Sequence, residues 1–327
     1  MAQITRVAKD QHQKEIIKIF DSLQGKHNLW QLWGDFVVMA ACTISNAVDI
    51  SNREKWEQLY MSVASGYGKK ELDAFAQIFA LIVTAYERDT DQDLLGELYM
   101  ALGLGNDRNG QFFTPYDVCR LMAEMNIDNA AMQLKERGWI SVNDPAVGAG
   151  ALLIAFANAC TRKKINYQQH CLFVAQEIDF NTACMCYIQL SLLGCPGYVY
   201  VGDTLADPCT CLDDNALVPA KPEKCWFMPM YFHPTWGGRL MIAQMRLIER
   251  QLSPTTIKPK TAENGSTRAE IPATEPSVQE SEPEEIVSTI DSTPDDNHEI
   301  EPTDNDIAPD NNEIALFTNE SGQLSLF

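Results

Sequence analysis

The sequence predicts an α/β protein: a helical N-terminal region, then a largely parallel sheet wound with helices, then a disordered tail. Three observations predict it. Residues 1–105 carry apolar side chains at helical spacing. Residues 139–205 alternate short apolar runs with helical patterns, which is the signature of βαβ units. From Ser253 onward the chain is rich in proline and acid and holds only two aromatics, Phe317 and Phe327.

In the first region the clearest helix is Lys69–Tyr86, where Leu72, Phe75, Ala76, Phe79, Ile82, Val83 and Tyr86 recur every three or four residues. That spacing lays them along one face of an α-helix, where core packing is their plain role. Shorter helical patterns surround Phe36–Cys42 and Glu54–Val63, and Asp93–Leu102 ends in the glycines of Leu102-Gly103-Leu104-Gly105. The texture then changes. Trp139–Val142 reads as a strand, Ala151–Cys160 as a helix, Leu172–Ile178 as a second strand, Asn181–Leu193 as a helix and Tyr198–Val201 as a third strand. One more helix is expected over Arg239–Leu252. The organisation is therefore a helical region (1–105), an α/β domain (106–252) and a tail (253–327), with no internal repeat.

The net charge of −20 belongs mostly to the tail, where 17 acidic and 3 basic residues leave −14. The body carries about −6. Charge therefore neither supports nor excludes nucleic acid as a partner, since phosphate contacts depend on local Lys and Arg clusters. Arg162-Lys163-Lys164 is one such cluster and is equally a solvated face. The polar start and the absence of a long apolar run predict a cytoplasmic protein with no membrane partner. The ten cysteines are then expected as reduced thiols. Cys209, Cys211, Cys225 and His233 match no usual zinc spacing, so no metal is expected.

Chemistry gathers at the ends of the three predicted strands. Asp144-Pro145-Ala146-Val147-Gly148-Ala149-Gly150 joins the first strand to its helix, and the two glycines permit a tight turn and a close approach of backbone to ligand. Glu177 and Asp179 follow the second strand, where carboxylates accept bonds from ribose hydroxyls. Gly202-Asp203 follows the third. Singly each acid reads as a solvated loop residue. On successive strand ends they read as a ligand site at the carboxyl edge of the sheet.

Together, Gly110–Pro115 (GQFFTP), Asp144–Gly150 (DPAVGAG), Gln176–Asp179 (QEID) and Gly202–Leu205 (GDTL) resemble the ordered motifs of the N6-adenine DNA methyltransferases. The nearest likeness is to type I modification subunits and their mobile-element relatives, over about residues 90–205. The resemblance implies a Rossmann-like methyltransferase sheet that binds S-adenosylmethionine and acts on DNA beside a specificity or complementing subunit. It implies that Phe113, Thr114 and Pro115 wrap the methionine end and that Asp144, Pro145, Gly148 and Gly150 form the cofactor turn. Glu177 and Asp179 would serve the ribose, and Asp203 the adenine amine. An acid before the glycines suits a cationic ligand better than a pyrophosphate.

The family carries its chemistry on an Asn-Pro-Pro-Tyr type of tetrapeptide, which holds a flipped adenine. The nearest counterpart here is Met228-Pro229-Met230-Tyr231, so Pro229 and Tyr231 are the catalytic candidates. Met228 replaces the hydrogen-bonding residue with a weak acceptor. Asp213-Asp214-Asn215 offers polar groups without a proline. The later strands of the family have no counterpart. Two readings stay open: a DNA adenine methyltransferase completed by an unusual tetrapeptide or a partner, and a catalytically inactive relative that binds cofactor or DNA. Methylation of RNA or protein is a third. The tail ends in Gln323-Leu324-Ser325-Leu326-Phe327, which resembles the bacterial sliding-clamp-binding peptide, with Gln323, Leu324, Leu326 and Phe327 as its contacts.

Overall fold

A computed structural model describes residues 11–105, 113–252 and 324–325. Five helices open the chain: α1 (Gln11–Leu23), α2 (Leu29–Val48), α3 (Arg53–Ala64), α4 (Lys69–Arg88) and α5 (Leu94–Ala101). Their starts are built from local chemistry. Asn28 caps α2 by accepting from the Gln31 N–H at 2.8 Å, Glu71 reaches back to the Gly68 N–H at the head of α4, and Asp93 caps α5 through the Gly96 N–H. On α4 the buried face is Phe75, Ile78, Ile82, Ala85 and Tyr86. The stripe expected from spacing is thus rotated slightly, with Ala76 left exposed and Ile78 and Ala85 taken in.

Helix α6 (Tyr116–Arg137) stops at Gly138, whose φ of +77° ends the helix in the left-handed region. The α/β part follows: β1 (Ile140–Asp144), α7 (Ala151–Arg162), the short α8 (Tyr167–His170), β2 (Cys171–Glu177), α9 (Phe180–Leu192), β3 (Gly197–Val201), β4 (Cys225–Phe227) and α10 (Pro234–Leu252). A two-residue strand, β5 (Leu324–Ser325), completes the sheet order β4-β3-β2-β1-β5. Strands β5, β1, β2 and β3 are parallel, with Val142 opposite Phe173 and Val174 opposite Tyr198. The expected parallel sheet is correct for these strands. The apolar run Cys225–Phe227 departs from it: β4 runs antiparallel to β3, Tyr198 facing Phe227. The sheet is therefore mixed.

The central strands are buried almost throughout, as a parallel sheet covered on both faces must be. The helical region and the sheet share one hydrophobic core, which includes Phe36, Ile82, Leu98, Val142, Phe156 and Tyr187. Trp56 of α3 stacks on Trp226 of β4 with ring centroids 3.7 Å apart. Gly197 has a φ of +139°, and a Cβ there would meet the Phe173 carbonyl oxygen at 1.8 Å, so glycine is required where β3 enters beside β2. No helix among the described residues is long and apolar enough to cross a membrane. The disorder expected of the tail falls on residues outside those described, Leu324–Ser325 excepted.

Candidate functional site

Strand β1 delivers Asp144 to the carboxyl edge of the sheet and the chain turns at once. Asp144 Oδ1 accepts from the Ala146 N–H at 3.1 Å, while its Oδ2 is buried with no hydrogen-bond partner among the described residues. Gly148 and Gly150 follow with φ of +57° and +102°. A Cβ on Gly150 would stand 3.2 Å from Cys186 Sγ, and one on Gly148 3.3 Å from the Phe113 ring. The turn is thus packed between α9 and the Phe113 segment, and α7 starts from it.

The turn is tied to the next strand. Val147 N–H donates to the Gln176 carbonyl at 3.0 Å, and Gly148 N–H to Glu177 Oε2 at 2.9 Å. Glu177 Oε1 accepts from the Asp179 N–H at 3.0 Å. Asp179 caps α9: its Oδ1 accepts from both the Thr182 N–H and hydroxyl at 2.8 Å. Asp203 takes the Leu205 N–H at 2.9 Å, and the Thr204 hydroxyl donates to the Pro145 carbonyl, pinning the loop after β3 onto the glycine turn. Asp144, Pro145, Gly148, Gly150, Glu177, Asp179 and Asp203 therefore come together at the ends of β1, β2 and β3.

Phe113 and Thr114 join them from the start of α6. They line a cavity of about 90 Å³ with Asp144, Gly148, Cys119 and Leu152. Pro115 is the first-turn neighbour that caps α6 and lies outside this lining. Burial raises the Asp144 carboxyl to about 7, opposed by the Ala146 N–H and reinforced by the charge of Glu177. Burial also raises Glu177, with the Asp179 and Gly148 N–H groups pulling the other way.

Residues 90–223 match the sequence model of the N-6 DNA methylase family. The match covers 134 of the 327 residues. A solved chain, the methyltransferase subunit of a type I restriction-modification system from Streptococcus thermophilus, is similar at 15% identity and a TM-score of 0.29. The match covers 60% of this chain and spans 58% of the length of that subunit. No curated protein matches the chain.

The matched segment ends just before β4, and the catalytic candidates lie beyond it. Because β4 is antiparallel, Met228–Tyr231 emerges where β3 begins: the Met228 N–H donates to the Gly197 carbonyl at 3.0 Å. The cofactor-type acids follow the other ends of β1, β2 and β3. Tyr231 is buried, its hydroxyl donating to the Leu217 carbonyl at 2.6 Å and its ring 4.8 Å from that of Phe227. The structure does not bring Pro229 and Tyr231 to the glycine turn. Strand direction carries them to the opposite edge of the sheet.

Two glutamines to which the sequence analysis gave no role of their own help build this site. Gln176, nearly inaccessible at 2% exposure, donates to the Gly202 and Asp207 carbonyls at 3.0 and 2.9 Å and accepts from the Cys209 N–H at 2.8 Å. Gln189 of α9 reaches the Ala149 carbonyl at 2.7 Å. A glutamine in an otherwise apolar strand or helix was the available signal for both. Among the described residues no group of three or more His, Cys, Asp and Glu side chains is placed to hold a metal. All ten cysteines are free thiols. Of the tail candidates, Leu324 is described only through its backbone, while Gln323, Leu326 and Phe327 lie outside the described residues.

Proposed function

We propose that this chain binds S-adenosylmethionine at the carboxyl edge of β1 and β2 and serves N6-adenine methylation of DNA as one subunit of a larger enzyme. One observation carries the reading: Asp144, whose buried Oδ2 has no hydrogen-bond partner among the described residues, lines a cavity together with Phe113 and the glycine turn. A buried carboxylate with one oxygen left unpaired favours a cationic group beside it, and the methionine end of the cofactor is cationic. The enclosed cavity suits an amino-acid end rather than a whole nucleoside, since drug-sized ligands need roughly 300–1,000 Å³. The ribose would then reach Glu177, and the adenine would lie along the open edge near Asp203. When bound, this cofactor supplies an activated methyl group. The chain's own residues would hold and orient it.

The separation of Met228–Tyr231 from the turn supports a target-base wall supplied by another polypeptide, such as a specificity or complementing subunit. The same separation favours a second reading, in which the chain is catalytically inactive and modulates restriction or replication. The Gln323–Phe327 peptide would then dock on a sliding clamp, in the cytoplasm, where free thiols persist.

Calorimetric titration with S-adenosylmethionine tests the binding. Saturable 1:1 binding lost in Asp144→Ala is expected, and its absence in the intact protein overturns the reading. Labelled-methyl assays on DNA, RNA and protein, with and without a partner subunit, separate the two readings. Labelled adenine in DNA only with the partner supports the first. No transfer under any condition supports the second.

A further inference from the structure

Gln189 is fully buried in α9, and every hydrogen-bonding site of its side chain is used. Its Oε1 accepts from the Tyr86 hydroxyl and from the Leu95 N–H at 2.8 Å. Its Nε2 donates to Asp93 Oδ1 at 2.8 Å and to the Ala149 carbonyl at 2.7 Å. A primary amide offers two donors and one oxygen with two lone pairs, so this side chain is saturated. Three of its partners belong to the helical region: Tyr86 on α4, and Asp93 and Leu95 at the start of α5. The fourth is the glycine turn itself.

That fourth bond acts on one peptide plane. The Ala149 carbonyl is held by Gln189, and the N–H of the same peptide, from Gly150, donates to the Val147 carbonyl at 3.0 Å. A planar peptide gripped at both ends cannot rotate. Gly150, with its φ of +102°, turns from that held plane into the start of α7. Neighbouring contacts reinforce the same seam. Asn158 of α7 donates to the Thr90 carbonyl at 2.8 Å, and Arg162 pairs with Asp91 at 2.9 Å. The segment 90–95 therefore fastens the helical region to both helices that flank the turn.

We infer that Gln189 is a positioning residue for the cofactor turn, and that through it the start of α5 sets the geometry of that turn. The inference rests on the cofactor reading above and adds that the helical region is part of the site. It predicts that whatever displaces α5 alters cofactor affinity without touching the ligand.

The test uses the full chain and three variants. Gln189→Met fills the space without polar atoms. Gln189→Asn keeps an amide one methylene short of Ala149 and serves if Gln189→Met fails to fold. Tyr86→Phe removes one bond of the network but none to the turn. The readouts are S-adenosylmethionine affinity by calorimetry and amide exchange at Gly148–Gly150 by hydrogen–deuterium exchange. The two Gln189 variants are expected to bind at least tenfold more weakly and to exchange at least tenfold faster at the turn. Tyr86→Phe should lower the melting temperature yet keep affinity and turn exchange within twofold of the parent. Unchanged affinity and exchange in a folded Gln189 variant overturns the proposal, as does equal loss in Tyr86→Phe. If the parent protein binds no S-adenosylmethionine, the cofactor reading fails separately, and the exchange data alone decide whether Gln189 holds the turn.

Discussion

Replacing Asp144 by asparagine tests the electrostatics of the site in one step. The side chain keeps its shape and loses its charge. In the folded protein burial lifts this carboxyl from 3.8 to about 7, so the ionised form is disfavoured by about 4 kcal/mol at 1.36 kcal/mol per tenfold. The folded state holds this proton more tightly than the unfolded chain. Its contribution to stability is therefore fully present below about pH 4 and is lost as pH rises through about 7. Above that, the asparagine variant lacks the charge penalty but leaves an amide donor without a partner, at a cost of about 1–3 kcal/mol. Asp144→Asn should gain about 1–3 kcal/mol over the parent at pH 8 and lose about 1–3 kcal/mol near pH 4, where only the amide cost remains. For a folded body of this size the gain at pH 8 is a rise in melting temperature of about 2–12 °C, readable by circular dichroism at the two pH values without ligand. S-adenosylmethionine should bind the asparagine variant more weakly, and parent affinity should rise with pH towards 7. A melting difference between the two proteins that is the same at pH 4 and pH 8 would refute the reasoning.

Three further outcomes are expected. Gly197→Ala places a Cβ 1.8 Å from the Phe173 carbonyl oxygen and should prevent folding or cost several kcal/mol, on the order of 3 or more, in urea unfolding. Tyr231→Phe should cost about 1 kcal/mol by losing its bond to the Leu217 carbonyl, with S-adenosylmethionine affinity unchanged in calorimetry. A loss of affinity there would return Tyr231 to the cofactor edge. Replacing Leu324, Leu326 and Phe327 together with alanine should abolish capture by an immobilised sliding clamp while leaving S-adenosylmethionine binding intact; clamp capture that survives would remove the docking peptide from the proposal.

Much of the α/β part was legible because its signals are local. Apolar strands ending in Asp144, Glu177 and Val201, each with a glycine or acid within the next four residues, mark the carboxyl edge of a parallel sheet in the sequence itself. Helices α3, α4 and α5 and the strands β1, β2 and β3 stand within a few residues of where periodicity puts them, while α2 runs six to seven residues beyond Phe36–Cys42 at each end. Helix α6 was not legible, and the reason is physical. It buries Cys119, Ala123, Ile127 and Ala130 on one face and exposes Val118, Leu121, Met125 and Met132 on another. Apolar residues on both faces cancel the one-sided pattern on which helix recognition depends.

The sequence by itself determined the carboxylate-and-glycine turn and the succession along the chain of the strands that bear it. These depend on residue type and on spacing along the chain, both of which can be read directly. Tertiary structure alone decided the direction of β4 and the use of the two buried glutamines. Cys225–Phe227 is equally apolar whether it runs parallel or antiparallel, and only its pairing with β3 sends Met228–Tyr231 away from the glycine turn. Gln189 stands 40 residues from Ala149 and 96 from Asp93, and hydrogen bonds across such separations exist only once the core that carries them has closed.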